Sequence, residues 1–318
     1  MGTRSGAVTR RTRRLALLVL FAAPVANACS INRMAVNRVG DALAGSGTTF
    51  ASDDDPVLVG QAVPFSLKLM ESLLASSPRH RGLLLAAASG FTQYAYGYVQ
   101  QDADELEDRD LAAAAAGRDR ARRLYLRARD YGLRGLETRH DRFAALLRSD
   151  PRAAVRAATA EDVPFLYWTA AAWGGAIAIS KEVPELVADQ PRVEALIDRA
   201  LELDESYDFG AIHSFLISYE SARRGASGDA NARARAHFER AVSLSEGQSA
   251  APFVALAEAV SVDRQDAREF TAMLERALAI DPDARPEWRL ANLIYQRRAR
   301  WLLSRRDALF LDDPGGSR

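Results

Sequence analysis

A four-residue phrase recurs with drift along this chain. It reads Tyr125-Leu126-Arg127-Ala128, Ile197-Asp198-Arg199-Ala200, Phe238-Glu239-Arg240-Ala241 and Leu274-Glu275-Arg276-Ala277. Each copy sets a large apolar residue three positions before an alanine, with an arginine between them. Residues three apart share one face of a helix, so the apolar residue and the alanine point inward and the arginine turns to water. The alanines are separated by 72, 41 and 36 residues, and the first interval is two periods of 36. Self-similarity at a period of about 34 to 47 residues belongs to helical repeat arrays, in which each helix pair buries its apolar side on the next. No segment alternates apolar and polar residues in the manner of a strand. The expected fold is therefore all-α, a superhelical array of tetratricopeptide-like helix pairs in a single domain.

The start of the chain has a different character. Arg4, Arg10, Arg11, Arg13 and Arg14 precede an apolar run from Leu15 to Ala23 and the small residues Val25-Ala26-Asn27-Ala28. A basic start, a short apolar stretch and small residues at the cut describe a secretory signal, since a membrane span needs about 20 apolar residues. Cys29, the chain's one cysteine, comes directly afterwards. This arrangement resembles a bacterial lipobox with Ala26 where leucine is usual, making Cys29 the expected lipidated first residue of the mature protein. Ser30 in place of aspartate favours the outer membrane, on its periplasmic side. The expected organisation is a lipoprotein signal over 1–28, a tether and N-terminal extension over 29–55, the repeat domain over 56–311 and a flexible tail over 312–318.

Along the repeat domain, Asp55-Pro56 has the form of a helix cap with proline at the first helical position. Helices are expected over 64–74, 80–99 and 117–135. The acidic run from Asp102 to Asp110 reads as a solvated face or a helix start. From Phe165 to Ile179 there is no charge at all, and a helix apolar on every side must be surrounded by protein. Phe91, Tyr94 and Tyr98 share one helical face; with Trp168 and Trp173 they are the candidate lining of an apolar ligand site or channel, although such stripes more often fill a core.

The chemistry of catalysis has no foothold in the sequence. Neither a P-loop, a G-x-S-x-G elbow, an H-E-x-x-H pair nor a C-x-x-C pair occurs, and His80, His140, His213 and His237 are scattered. The expectation is a protein that is not an enzyme and uses no cofactor or metal. Basic and acidic residues number 42 each, and five of the arginines fall in the leader, so the mature chain is acidic and nucleic acid is an unsuitable partner.

Taken together, several strings resemble the T-component (TatT) family of lipoproteins associated with TRAP transporters. They are Phe50-Ala51-Ser52-Asp53-Asp54-Asp55-Pro56-Val57-Leu58-Val59, Pro64-Phe65-Ser66-Leu67-Lys68-Leu69-Met70-Glu71, Gly90-Phe91-Thr92-Gln93-Tyr94-Ala95, Ala170-Ala171-Ala172-Trp173-Gly174 and His237-Phe238-Glu239-Arg240-Ala241. The resemblance implies a TRAP-type solute-binding protein as partner, a homotrimer, and an apolar channel that binds or passes a hydrophobic or amphipathic small molecule. The membrane is then met through the lipid anchor only. The rival expectation is a generic repeat scaffold for protein–protein assembly in the cell envelope.

Overall fold

Helix caps written into the sequence set most of the element starts in the computed structural model, which describes residues 38, 40–42, 45, 47–223 and 226–311. Cys29, the leader and the C-terminal tail lie outside the described residues. The Asp55 carboxylate accepts the backbone N–H groups of Val57 and Leu58, and Pro56 takes the first helical position of α2 (Pro56–Ser76). Asp110 caps α5 (Leu111–Leu136) through the Ala113 N–H in the same way, and Asp266 caps α14 (Ala267–Leu278) through Glu269. Pro64, the expected start of the first long helix, lies inside α2 instead. Its missing N–H costs one backbone bond, whereas the Asp55-Pro56 cap supplies the real start. The glycine-containing tether also differs from expectation, because Gly47–Ala51 forms a short helix, α1.

The other elements come in this order: α3 (Arg81–Tyr94), which continues through a π-helical turn, Ala95–Gln100, into α4 (Gln101–Leu106); α6 (Phe143–Ser149); α7 (Pro151–Val155); α8 (Val163–Ala178); α9 (Pro184–Val187); α10 (Gln190–Leu203); α11 (Ala211–Tyr219); α12 (Ala230–Leu244); α13 (Ala251–Leu256), with a second π-helical turn, Ala257–Ser261; α15 (Arg289–Ser304); and α16 (Arg306–Leu309). Among the described residues there is no strand. The fold is all-α and forms one domain.

Helix α8 is the uncharged segment, and it sits where a helix apolar all round must sit. It packs against α3 and α5 on one side and α10 on the other. Phe165, Leu166, Ala170, Trp173 and Ile177 are buried in the main core with Leu83, Leu84, Leu136, Leu196 and Ile197. The approach of α5 is closest at two glycines. A Cβ on Gly132 would collide with Thr169, and one on Gly135 with Phe165. The repeated phrases behave as their spacing predicts: Tyr125, Ala128, Ile197, Ala200, Ala241, Leu274 and Ala277 are buried, and Phe238 packs on the core. The intervening Arg240 pairs with Glu205, while Arg276 lies over the Phe253 ring.

A second core joins α13, α14 and α15 around Phe253, Phe270, Leu274 and Leu302. From there α15 returns to the beginning of the array. Arg289 donates to the Ser52 carbonyl beyond α1 at 2.8 Å, and Arg297 donates to Asp102 and Glu105 of α4 at 2.8 and 2.7 Å. Arg305 pairs with Asp108 at 3.0 Å. The acidic run, read as a solvated face or a helix start, does start helices at Asp102 and Asp110, and it also receives the last long helix, so the array closes on itself.

Candidate functional site

The two π-helical turns aim side chains at α15. A π turn inserts one residue into the helical register and rotates the next turn of helix relative to the last, which is why such turns recur at functional sites. The first presents Tyr96 to Tyr295, with ring centroids 5.6 Å apart. The second presents Glu258, which accepts from Arg298 Nη2 at 2.6 Å, while Arg298 Nη1 donates to Asp104 at 2.7 Å. Tyr295 and Arg298 are three residues apart and share a face of α15. Burial works against the Arg298 charge, but Glu258 and Asp104 hold its pKa above the ordinary arginine range.

A second aromatic group is half-buried on α8. Tyr167 meets Trp168 edge-on at 4.9 Å and lies 5.4 Å from Tyr207. Desolvation drives the phenols of Tyr96, Tyr167 and Tyr295 above the usual 10.0, that of Tyr295 to about 12. Each of the three nevertheless keeps accessible surface. All three rings are half-buried where helices pack: Tyr167 against the main core, Tyr295 against the second core, and Tyr96 against the cluster around Val99 and Tyr125.

Of the five residues named from sequence, Trp168 is half-buried beside Tyr167. Phe91 is 3% exposed and stacks on Tyr131 at 5.9 Å, with Arg127 over its ring. Trp173, 4% exposed, donates its indole N–H to Asp189 at 3.2 Å and lies beneath Arg129. Tyr94 and Tyr98 stack at 5.6 Å on the face toward α2, and burial raises the Tyr98 phenol to about 12. Sequence reasoning passed over Tyr96, Tyr167, Tyr207 and Tyr295. Tyr167 carried a signal, an aromatic pair inside the uncharged segment. Tyr96 carried none, because only the π turn brings it inward from the opposite side of the Phe91 face.

Two of the scattered histidines meet. His213 of α11 and His237 of α12 place their Nδ1 atoms 2.9 Å apart, one donating and one accepting. Desolvation lowers both pKa values, so the pair is held neutral in spite of Glu205 and Glu220 nearby. His140 instead bonds the fully buried Asp162, which also receives Arg81. These contacts lie within helix packing.

Against known proteins, a model of the TRAP transporter T-component family matches residues 52–310. A protein of Treponema pallidum (strain Nichols), described as uncharacterized, is 31% identical over 267 residues, covering 83% of each chain. The matched span begins just before the cap of α2 and ends just after α16, taking in both π turns and the closing helix. The family ties the chain to TRAP transport at the cell envelope, and no enzymatic family is indicated. By this match over most of its length, the chain belongs to the TRAP transporter T-component family.

Proposed function

We propose that this protein is a periplasmic lipoprotein, anchored through Cys29 in the outer membrane, that partners a TRAP-type solute-binding protein and binds or passes a hydrophobic or amphipathic molecule without catalysis. Its helices act as tetratricopeptide-like pairs, and copies of the chain assemble as a homotrimer. The observation that carries the reading is the match of residues 52–310 to a transport family, with the half-buried rings of Tyr96, Tyr167 and Tyr295 as candidate lining. Aromatic lining with few charges suits an apolar solute, and an anchor raises the local concentration of the site beside its partner.

The test has two arms. The neutral dye N-phenyl-1-naphthylamine should gain fluorescence with the full chain and lose that gain when Tyr167 and Tyr295 are replaced by tryptophan. In cells, crosslinking should capture a solute-binding protein, and Cys29→Ser should release the chain from the membrane fraction. A dye that stays dark sinks the ligand reading, and crosslinks without a solute-binding protein sink the partnership.

A further inference from the structure

One helix face carries charge that the fold itself does not use. In a chain whose basic and acidic residues number 42 each, α5 holds seven arginines against two aspartates, with no lysine or glutamate. Arg120, Arg127 and Arg134 are seven residues apart, so they stand almost in one row along the helix, at steps of about 10 Å. Each lies over an aromatic ring: Arg120 over Tyr94 at 5.9 Å, Arg127 over Phe91 at 5.4 Å and Arg134 over Tyr131 at 5.2 Å. A guanidinium seated on a ring is held in place, with N–H groups left at its edge for a carboxylate.

Few carboxylates of this chain answer them. Arg120 donates to the Tyr94 hydroxyl at 3.4 Å and Arg134 to the Pro78 carbonyl at 3.1 Å; among the described residues neither has an acidic partner. Glu71 stands 3.6 Å from Arg127, a loose pair, because it already accepts from Lys68 at 2.5 Å and from Tyr131 at 2.8 Å. Asp119 is taken by Arg122 and Arg123, and Asp130 by Arg129. Outside the described residues, only Asp312 and Asp313 carry an acidic side chain. The joint between α15 and the acidic run is the completed form of the same device, with Arg297, Arg298 and Arg305 each set on a carboxylate. On α5 the arginine half of such a joint stands beside an open groove that runs past Arg127, Asp130, Tyr131 and Arg134, and no described segment supplies the carboxylate half.

We propose that this row is the docking face for an acidic helix of the solute-binding partner, whose carboxylates, at the same seven-residue spacing, lie against Arg120, Arg127 and Arg134. The inference rests on the partnership proposed above and adds the face and the chemistry by which the partner is met. Guanidinium edges at fixed intervals suit a rigid row of carboxylates, because arginine pairs with them through two parallel hydrogen bonds. An anionic lipid surface suits the row less well, since Asp130 projects among the arginines with 61% of its side chain exposed and would be repelled there. A second copy of the chain has less to offer, because α15 already engages its acidic run.

The probe is a fluorescein-labelled, alanine-based helical peptide of about 20 residues with glutamate at every seventh position. One control has glutamine at those positions. The other has the same glutamates moved to five-residue spacing, which scatters them around the helix. Each is titrated with the full chain at low salt and followed by fluorescence anisotropy. The row peptide should bind about tenfold more tightly than either control, since three exposed ion pairs of modest strength add to that ratio. Arg120→Gln, Arg127→Gln and Arg134→Gln together should abolish the preference, with the circular dichroism of the parent retained. The same three sites changed to lysine, which keeps the charge without the planar fork, should reduce it. Arg123→Gln, which removes a charge off the row, should leave it intact. Equal binding of the three peptides, or loss of the preference in Arg123→Gln, overturns the row. So does binding to phosphatidylglycerol vesicles, or self-association of the chain, that the triple glutamine variant abolishes while the peptides bind alike. In cells, a photo-crosslinking residue in place of Asp130 should join the chain to a solute-binding protein. If the row peptide is preferred and that crosslink reaches no solute-binding protein, the assigned partner is overturned while the face stands. If crosslinks elsewhere on the chain reach one and the peptides bind alike, the face is overturned while the partnership stands.

Discussion

Two seams of this molecule are built on opposite principles. Between α5 and α8 the helices meet through glycine, alanine and apolar rings, with Gly132 and Gly135 admitting Thr169 and Phe165. Between α4 and α15 they meet through charge, with Arg297 and Arg298 set on Asp102, Asp104 and Glu105. The first seam joins neighbours in the stack and excludes water. The second joins residues 192 to 195 positions apart. A dry seam gains from area and close packing. A charged seam instead needs each polar group satisfied, and ion pairs with Arg298 at their centre meet the need.

The contrast can be broken from the dry side first. Gly135→Leu should cost about 3 kcal/mol or more in urea denaturation monitored by circular dichroism, at the upper end for an overpacked core, because the Phe165 ring behind it is fully enclosed. Arg298→Ala comes next, at about 2 to 3 kcal/mol, since it strands Glu258 and leaves Asp104 only Arg118 at 3.5 Å, in a largely buried site that keeps some exposure. The sharper distinction is where the loss appears. Hydrogen exchange should accelerate in α15 and α4 for Arg298→Ala while α8 stays protected, whereas Gly135→Leu should loosen α5 and α8. Equal loosening of both seams in either variant would erase the distinction between them.

A third perturbation acts between α11 and α12. A histidine whose folded pKa is depressed contributes stability that is complete above its unfolded value, 6.5, and is lost as pH falls through that value. His213 and His237 both have this sign, because burial disfavours their charged forms. Stability should therefore fall between about pH 7 and pH 5.5, softened by Glu205 at 3.6 Å and Glu220 at 3.9 Å. His237→Gln should flatten that part of the profile, and an unchanged slope would count against the pair as its source. The smallest effect is expected at Lys68, whose side chain is 69% exposed and pairs with Glu71 one turn away. Lys68→Ala should shift stability by no more than about 0.5 kcal/mol, so the same chemistry that holds α15 contributes little on an open surface.

The sequence by itself determined the all-α class, the inward face of each repeated phrase, the cap at Asp55, and the burial of the uncharged helix. These rest on spacing within one or two turns, on side-chain volume and on polarity, all of which are local. Tertiary structure alone decided that the acidic run receives α15, that His213 meets His237, and that Tyr96 meets Tyr295. Among the aromatic residues named as candidate lining, Trp168 is half-buried, whereas Phe91 and Trp173 lie in the core. The reason is geometric. A π turn shifts the register by one residue without marking the composition, and a contact between residues almost 200 positions apart exists only after every intervening helix has set its angle.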